Sequence, residues 1–312
     1  MIDFNSRSAL AGRINWLIDR AIDNAPEEQR TYLGCSMIGD PCERAVAIAY
    51  ALQLRPSPPR QCAGGLDASS HCRADTRSFL DDKCMVHDRG LPREAGPCGR
   101  ADALGDLTTS SPQGCLPPQI QDVAADSCAF SPRVRRIFAR GHDAEDRIVA
   151  WMRDAGFLLI NEDPATHRQF EVRFCNGRMA GHADGLILLW RGKGPSPLPL
   201  PCLWECKCLG HKYFEQARKK KIRASHPKYY SQMQLYMHGL HLEHGLISCM
   251  DADTCELYHE LVPYDSGEAL RMISRAERIF LCIDHGELPP RSEPHRACLA
   301  CKLCRFTKLC WQ

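Results

Sequence analysis

The sequence after residue 133 alternates between the hydrophobic periods of helices and strands, and this alternation constrains the fold more than any other feature. In chain order the pattern predicts a helix at 134–156, strands at 169–175, 179–190 and 202–208, a helix at about 227–243, strands at 245–251 and 256–263, and a helix at about 267–285. Elements in such an order build a sheet with helices packed on its faces. The sequence therefore predicts an α/β fold with a mixed central sheet flanked by helices.

The sequence before residue 133 contains a regular part and an irregular part. Helical periods predict helices at 8–23 and 43–54. The irregular part is rich in Pro, Gly, Ser and Arg and shows no sustained period, which is typical of an insertion that is mostly mobile. We therefore divide the chain into an N-terminal helical part (1–55), a Cys- and Pro-rich insertion (56–132), a core (133–290) and a C-terminal cysteine cluster (291–312).

Cysteine is abundant, at 19 of 312 residues, and its interpretation depends on the compartment. No apolar run is long enough to cross a bilayer and no secretory signal is visible, so we expect a cytoplasmic chain without membrane contact. Disulfides are rare in that compartment, so ligation of a metal or cluster by some cysteines is favoured. The six cysteines of the insertion form no CxxC pair and indicate a second metal site only weakly: Cys62, Cys72, Cys84, Cys98, Cys115 and Cys128.

A carboxylate and an amine lie two residues apart in the predicted strand at 202–208. Because strand side chains alternate, Glu205 and Lys207 project to the same face. The segment between Asp184 and Glu205 can turn back as a hairpin, which would bring the two carboxylates together. Such a pair is a hard-oxygen site for Mg²⁺ or Mn²⁺, and Lys207 could position water or neutralise a phosphate. The alternative is a set of surface salt bridges on an edge strand.

The predicted helix at 134–156 carries two polar residues within its apolar stripe. Phe138, His142, Glu145, Val149 and Met152 share one helical face, which we expect to point inward. A histidine there can join the two carboxylates as a metal ligand and would favour a site compatible with Mn²⁺. The alternative is a buried His–Glu pair that satisfies its own hydrogen bonds.

The predicted helix at 227–243 begins after a basic run and carries a polar pair. Gln232 and Tyr236 lie four residues apart and share a face, although Tyr236 can also simply pack in the core. A net charge of only +2 means that any surface for nucleic acid must be a local patch. The basic run is either such a patch or an ordinary solvated face, and it consists of Arg218, Lys219, Lys220, Lys221 and Arg223.

The C-terminal tail contains four closely spaced cysteines. They follow the pattern Cys298-x-x-Cys301-x-x-Cys304-x5-Cys310. Thiolates at this spacing suit a 4Fe–4S cluster or a Zn²⁺ site. From the spacing alone, all four form the ligand set.

Four motifs, which follow one another along the chain as they do in the family, together resemble the PD-(D/E)XK nuclease superfamily. They are Gly-His-Ala-Asp-Gly at 181–185, Glu205-Cys206-Lys207, Gly141-His142-x-x-Glu145 and Gln232-x-x-x-Tyr236. The last two are similar to the RecB-type branch, which includes CRISPR-adaptation exonucleases and the nuclease domains of helicase–nucleases. The resemblance implies a restriction-endonuclease-like core with Lys207 as catalytic lysine. It further implies a metal held by Asp184, Glu205, His142 and the Cys206 carbonyl, with Glu145, Gln232 and Tyr236 at the active site.

The same resemblance implies a different set of cluster ligands. In iron–sulfur members of that branch one cysteine comes from the start of the domain and three from its end. Here these are Cys42 and the trio Cys301, Cys304 and Cys310, which would clip the two ends together, with Zn²⁺ as the alternative. Cys298 and Cys35 become extras or substitutes. The insertion departs from the family pattern.

The expected function is therefore that of a metal-dependent DNA exonuclease acting on single-stranded DNA or free ends. The sequence does not distinguish among four processes in which such an enzyme could act: recombination, repair, replication and CRISPR adaptation. No helicase P-loop is present in the sequence, so unwinding would need a helicase or recombination partner. The alternatives are a non-catalytic nucleic-acid-binding protein organised by Zn²⁺ or an Fe–S cluster, and a cluster carrier.

Overall fold

The structure is a computed structural model that describes residues 9–24, 30–54, 117, 120 and 130–311. Its helices are α1 (Ala9–Asn24), α2 (Cys35–Ile38), α3 (Glu43–Gln53), α4 (Pro132–Asp154), α5 (His211–Ser225), α6 (Pro227–Leu240), α7 (Ser266–Asp284), α8 (Leu299–Leu303) and α9 (Thr307–Cys310). Its strands are β1 (Leu33–Gly34), β2 (Phe157–Ile160), β3 (Phe170–Phe174), β4 (Met179–Ala183), β5 (Gly185–Trp190), β6 (Cys202–Leu209), β7 (His244–Asp251) and β8 (Leu257–Pro263). Almost all of the predicted insertion, with its six cysteines, lies outside the described residues.

The main sheet has five strands in the order β2-β5-β6-β7-β8. Strands β6 and β7 are parallel and the other neighbours are antiparallel, so the predicted mixed α/β sheet is confirmed. The parallel pair requires a long crossover, which α5 and α6 supply. Strand β6 lies in the middle of the sheet, which fixes the surroundings of every side chain it carries.

Both faces of β6 are covered by helices. On one face Trp204 packs in an apolar cluster with Ile148 and Val149 of α4. On the other face Leu203 packs in the larger core with Met233 and Met237 of α6. Helix α4 therefore covers one side of the sheet and α6 the other, and each side chain in the middle of β6 is buried beneath one of these helices.

The predicted strand at 179–190 is wrong as a single element. It forms two strands in different sheets, since β4 pairs with β1 and β3 in a three-stranded sheet and β5 belongs to the main sheet. Two glycines permit the change. A β-carbon at Gly181 would lie 2.6 Å from Tyr236 Cε1, and one at Gly185 would lie 2.8 Å from the Ile160 carbonyl oxygen. Only glycine allows these close approaches, and Asp184 is the single residue between the two strands.

Three further expectations need correction. Strand β2 was not predicted, because its four apolar residues do not alternate with polar ones. The basic segment at 217–223 belongs to a helix of its own, α5, rather than to a lead into α6. The inward stripe of α4 is only partly right, since Phe138 is 46% exposed and the His142 side chain is 79% exposed. The sheet covers the C-terminal half of α4, where Val149 and Met152 are buried.

The segment that contains α2 and α3 packs against α7 and the residues that follow it. The Arg44 guanidinium donates a hydrogen bond to the Pro289 carbonyl oxygen at 2.9 Å, and buried Arg275 donates to the Ile38 carbonyl oxygen at 2.8 Å. Helix α3 also packs on α7 through Tyr50, whose ring contacts the ring of Phe280 on α7. Among the described helices, none combines the length and apolarity needed to cross a bilayer.

Replacing Lys221 by glycine is expected to stabilise the protein by about 1 kcal/mol. Lys221 interrupts α5 with φ 65° and ψ 158°, a conformation that is essentially confined to glycine. Glu260 holds the kink by accepting hydrogen bonds from the Ile222 amide at 3.0 Å and the Tyr258 hydroxyl at 2.6 Å. Urea denaturation measures the effect. Lys220→Gly is the control, since glycine at a regular helical position costs about 1 kcal/mol. Equal destabilisation of both variants would show that the backbone at Lys221 is not strained.

Candidate active site

Two oppositely charged side chains of β6 project to the same side of the sheet, as predicted. Lys207 Nζ lies 2.5 Å from Glu205 Oε1 and donates a second hydrogen bond to the Cys206 carbonyl oxygen at 2.8 Å. Glu205 is fully buried, and Lys207 keeps 19% of its side chain exposed. Because β6 is the central strand, the alternative of surface salt bridges on an edge strand is wrong.

Asp184 lies where the chain passes from β4 into β5. Strand β5 pairs antiparallel with β6, with Gly185 opposite Trp204. The predicted hairpin between Asp184 and Glu205 is therefore present. Asp184 Oδ2 accepts a hydrogen bond from the Cys206 amide at 2.8 Å and lies 3.8 Å from Lys207 Nζ. The fold thus brings Asp184 beside Glu205 and Lys207, which follow it by more than twenty residues in the sequence.

Gln232 and Tyr236 project from the same face of α6 toward β6. Gln232 Nε2 donates hydrogen bonds to Glu205 Oε1 at 2.9 Å and to the Tyr236 hydroxyl oxygen at 3.0 Å. Tyr236 is 3% exposed, and its ring packs against Gly181. Gln232 therefore orients Glu205, and Tyr236 supports Gln232 through its hydroxyl while its ring fills the core.

The charges of the site shift one another's protonation. Burial, followed by the charge of Asp184, raises the pKa of Glu205. Burial acts to lower the pKa of Lys207, but Glu205 and Asp184 overcome it and hold that pKa well above its usual value. Burial, followed by Asp184, raises the pKa of Glu145 to about 7. Three carboxyl groups thus share one ammonium group, and this surplus of acid favours a bound cation.

Helix α4 contributes two predicted residues with different surroundings. The Glu145 side chain is 17% exposed, and its charge interacts with those of Asp184 and Lys207. His142 Nδ1 lies 3.8 Å from Glu145 Oε2, and the His142 side chain faces solvent. His142 therefore lies at the edge of the site beside Glu145, and its role as a metal ligand stays a prediction.

One buried atom of the site has no hydrogen-bond partner in the described part of the chain, namely Glu205 Oε2. Leaving such an atom unpaired costs on the order of 1–3 kcal/mol unless a proton or a cation satisfies it. Within the described ranges no three His, Cys, Asp or Glu side chains already surround one metal position. Asp184 and Glu205 nevertheless fit Mg²⁺, which is commonly held by one or two carboxylates and keeps several waters.

The basic run lies on α5 and is partly neutralised. Arg218 Nη2 and Lys219 Nζ pair with the carboxylate of Glu215 at 2.7 and 2.8 Å, and Arg223 Nη2 lies 3.5 Å from Asp265 Oδ2. These side chains are exposed, so they can exchange protein partners for phosphates. Contact with DNA stays a prediction for Lys219, Lys220, Lys221 and Arg223.

A small cavity of about 40 Å³ is bordered by α3 and the C-terminal helices. The residues that line it include the four ligands implied by the resemblance, which are Cys42, Cys301, Cys304 and Cys310. Cys298 has a local role, because its sulfur accepts a hydrogen bond from the Cys301 amide at 3.2 Å at the start of α8. The thiol chemistry and shared cavity fit a cluster or Zn²⁺.

Tyr229 is a further residue beside Lys207 that the sequence patterns did not single out. Lys207 Nζ lies 5.5 Å from the centroid of the Tyr229 ring, within range of a cation–π interaction. Tyr229 precedes Gln232 by three residues on α6. A separation of three residues places Tyr229 and Gln232 on the same face of the helix, and this spacing is the signal in the sequence that could have identified Tyr229.

Comparison with known proteins gives only distant likenesses. No protein-family model and no curated protein matches the chain. The crystal structure of the alkaline exonuclease LHK-Exo from Laribacter hongkongensis is similar over 47% of this chain and 69% of that chain, with a TM-score of 0.36 and 16% identity. LHK-Exo in complex with dAMP is similar over 54% and 84%, with a TM-score of 0.36 and 14% identity. Likenesses this weak carry no argument, so function must be inferred from the site.

Proposed function

We propose that the chain is a metal-dependent deoxyribonuclease centred on Asp184, Glu205 and Lys207. The observation that carries the proposal is the unpaired buried atom Glu205 Oε2, which has no partner among the described residues. The other oxygen of the same carboxylate is fixed by Lys207 and Gln232. A carboxylate oriented through one oxygen and open at the other is suited to hold a cation beside Asp184.

The residues available for the cation are those of the sequence motif. Asp184 and Glu205 would hold Mg²⁺ or Mn²⁺, joined by His142 and by the Cys206 carbonyl, which accepts a hydrogen bond from Lys207 and keeps a second lone pair. The bound ion would neutralise charge on a phosphodiester and lower the pKa of a water. Phosphodiester hydrolysis is the reaction that uses both effects.

The chain's own side chains supply the remaining chemistry. Lys207, whose pKa is held high by Glu205 and Asp184, meets the substrate as a cation and stabilises negative charge developing on the phosphate. In the metal-free site burial, followed by the charge of Asp184, raises the pKa of Glu145 to about 7, which makes Glu145 the candidate group to accept or release a proton near neutral pH. Gln232 keeps Glu205 in place.

The finer assignment rests on the motif resemblance. We propose a RecB-type exonuclease that digests DNA from single-stranded or free ends, in recombination, repair, replication or CRISPR adaptation. A helicase or recombination partner would supply unwinding. We further propose a 4Fe–4S cluster, with Zn²⁺ as the alternative, held by Cys42, Cys301, Cys304 and Cys310, and supported by their shared cavity.

Digestion of end-labelled DNA tests the proposal. Wild type should digest single- or double-stranded DNA with Mn²⁺ or Mg²⁺ and lose activity in EDTA. Asp184→Asn removes a carboxylate of the site and should lower the rate at least ~100-fold. Asp154→Asn, at the exposed end of α4, is the matched control and should digest as wild type does.

The proposal fails if wild type digests neither substrate, or if Asp184→Asn digests as fast as wild type. In the first case the non-catalytic alternative, a nucleic-acid-binding protein organised by Zn²⁺ or an Fe–S cluster, would gain support. Binding of the same labelled strands in EDTA distinguishes that alternative from a protein with no nucleic-acid function.

A further inference from the structure

Three rings form a continuous row from the protein surface to Lys207. Tyr213 contacts His226 edge-on, with 6.2 Å between ring centroids and 65° between planes. His226 stacks on Tyr229 at 5.4 Å and 5°. Lys207 Nζ lies 5.5 Å from the Tyr229 centroid. We name Tyr213, His226 and Tyr229 the aromatic row.

The aromatic row follows from how α5 and α6 are joined. Tyr213 lies in the first turn of α5, where its amide donates to the Gly210 carbonyl oxygen at 2.8 Å. His226 is the single residue between the two helices, the C-cap of α5 and the N-cap of α6. Tyr229 is three residues further, and its amide donates a hydrogen bond to the His226 carbonyl oxygen at 3.0 Å, which closes the first turn of α6 and brings the two rings together.

The inner end of the aromatic row is fixed to the candidate active site. Helix α6 carries Tyr229 and, one turn later, Gln232, which holds Glu205. A rigid helix therefore sets the distance between the stacked rings and the carboxylate. Whatever lies on the row is held in a defined position relative to Lys207.

Exposure increases along the aromatic row toward solvent. Tyr213 is 57% exposed, whereas His226 and Tyr229 are half-buried. Burial lowers the pKa of His226, so its ring is neutral at physiological pH and offers a flat surface without charge. Packing between α5 and α6 accounts for the inner two rings but leaves the exposed face of Tyr213 unexplained. The neighbouring Lys212 is also exposed and adds positive charge at the outer end.

We infer that the exposed ring of Tyr213, at the outer end of the aromatic row, is a stacking platform for an unpaired nucleobase of a DNA strand whose backbone reaches Lys207. The inference rests on the proposed function and specifies its substrate as an end with unpaired bases. Bases within a duplex stack on each other, whereas an unpaired base offers its face to an aromatic ring. Every base has such a face, so the platform is tolerant of sequence.

Binding of fluorescent oligonucleotides to the full chain, measured by anisotropy in EDTA to prevent digestion, tests the platform. One probe is a single strand with bases, and the other is an abasic strand of equal length. Tyr213→Ala should weaken binding of the first probe by about 5-fold or more and leave binding of the second unchanged. Tyr213→Phe keeps the ring and should bind as wild type does. Trp16→Ala, which removes an equally exposed ring (55%) from α1, is the control.

Three results would overturn the platform: equal affinity of Tyr213→Ala and wild type for the base-bearing strand, equal affinity of wild type for both probes, or no binding of either. Digestion assays keep the two proposals separate. If wild type fails to digest DNA but binds it in a Tyr213-dependent way, the nuclease proposal fails and the platform stands. If wild type digests DNA but Tyr213→Ala binds the base-bearing strand as tightly as wild type does, the nuclease proposal stands and the platform fails.

Discussion

Replacing Glu205 by glutamine is expected to abolish DNA hydrolysis and, in the same variant, to stabilise the metal-free protein at alkaline pH. Glutamine has the shape of the carboxyl group, and its carbonyl oxygen can still accept the hydrogen bonds from Lys207 and Gln232. It carries no charge with which to hold a cation. Hydrolysis should therefore fall at least ~100-fold, although the fold is kept.

The gain in stability follows from the direction of the pKa shift. Burial raises the pKa of Glu205 in the folded protein above its ordinary value of 4.5, which the unfolded chain retains. Between these two pKa values the folded protein binds more protons than the unfolded chain, so the free energy of unfolding falls as pH rises. Above the folded pKa the ionised, buried carboxylate opposes folding. Glu205→Gln should therefore gain on the order of 1–3 kcal/mol near pH ~9 and little near pH ~5.

Thermal unfolding of both proteins in EDTA across that pH range measures the difference in stability. Repeating the measurement with Mn²⁺ tests whether Glu205 is a ligand of the ion. At a concentration of about 100 times its Kd, the ion should stabilise wild type by about 2.7 kcal/mol and leave Glu205→Gln unchanged. Glu256→Gln, which removes an exposed carboxylate from the turn before β8, should behave as wild type. Equal stabilisation of wild type and Glu205→Gln by Mn²⁺ would exclude Glu205 as a ligand.

Much of the fold could be predicted because its strands and helices have clear hydrophobic periods. Strand β6 is a good example, since the run from Cys202 to Cys206 is buried on both faces and reads as a central strand. The break at Asp184 could not be predicted. It depends on close approaches of Tyr236 to Gly181 and of the Ile160 carbonyl oxygen to Gly185, which are contacts between segments distant in sequence.

The candidate site was predictable where it depends on strand alternation and less so where it depends on a helix. Glu205 and Lys207 share a face because alternation along a strand leaves no other choice. A helical period identifies a face of α4 but gives no information on how far the sheet extends along that helix. For this reason Glu145 turned inward as expected, whereas His142, one turn earlier, faces solvent.

Cys301→Ser and Cys298→Ser are expected to have opposite effects although the two positions lie three residues apart. We propose that Cys301 is a ligand of the cluster, and a serine hydroxyl is a poor, hard replacement for a soft thiolate. Cys298 caps α8 through its sulfur, and serine is among the preferred residues at such a position. Cys301→Ser should therefore lose most bound metal, whereas Cys298→Ser should keep it.

Loss of the metal should unfold the C-terminal segment rather than the whole domain. Closing a loop of more than ~200 residues between Cys42 and Cys301 would contribute about 5 kcal/mol if nothing else held its ends. Helix α3 already packs on α7, and Arg44 already bonds to the Pro289 carbonyl oxygen at 2.9 Å. A cluster held by these cysteines would therefore close only the short segment after α7, which would be worth about 3 kcal/mol. Helices α8 and α9, of 5 and 4 residues, are too short to be stable on their own, so we expect them to depend on the cluster as well as on the packing of Phe306 and Leu309 in the core.

Hydrogen exchange of the purified chain tests whether the C-terminal segment unfolds when the metal is lost, and metal analysis identifies the metal. In Cys301→Ser, amide protection should disappear across 291–311 and persist in β6 and α6, and the brown colour expected of iron–sulfur centres should fade. Iron with acid-labile sulfide in wild type would identify the cluster, and zinc alone would identify the alternative. If Cys298→Ser loses metal as fully as Cys301→Ser while Cys42→Ser retains it, the ligands are the four cysteines of the tail. Cys42, at the start of α3, would then play no part in binding, because the ligand set would be local to the last helices.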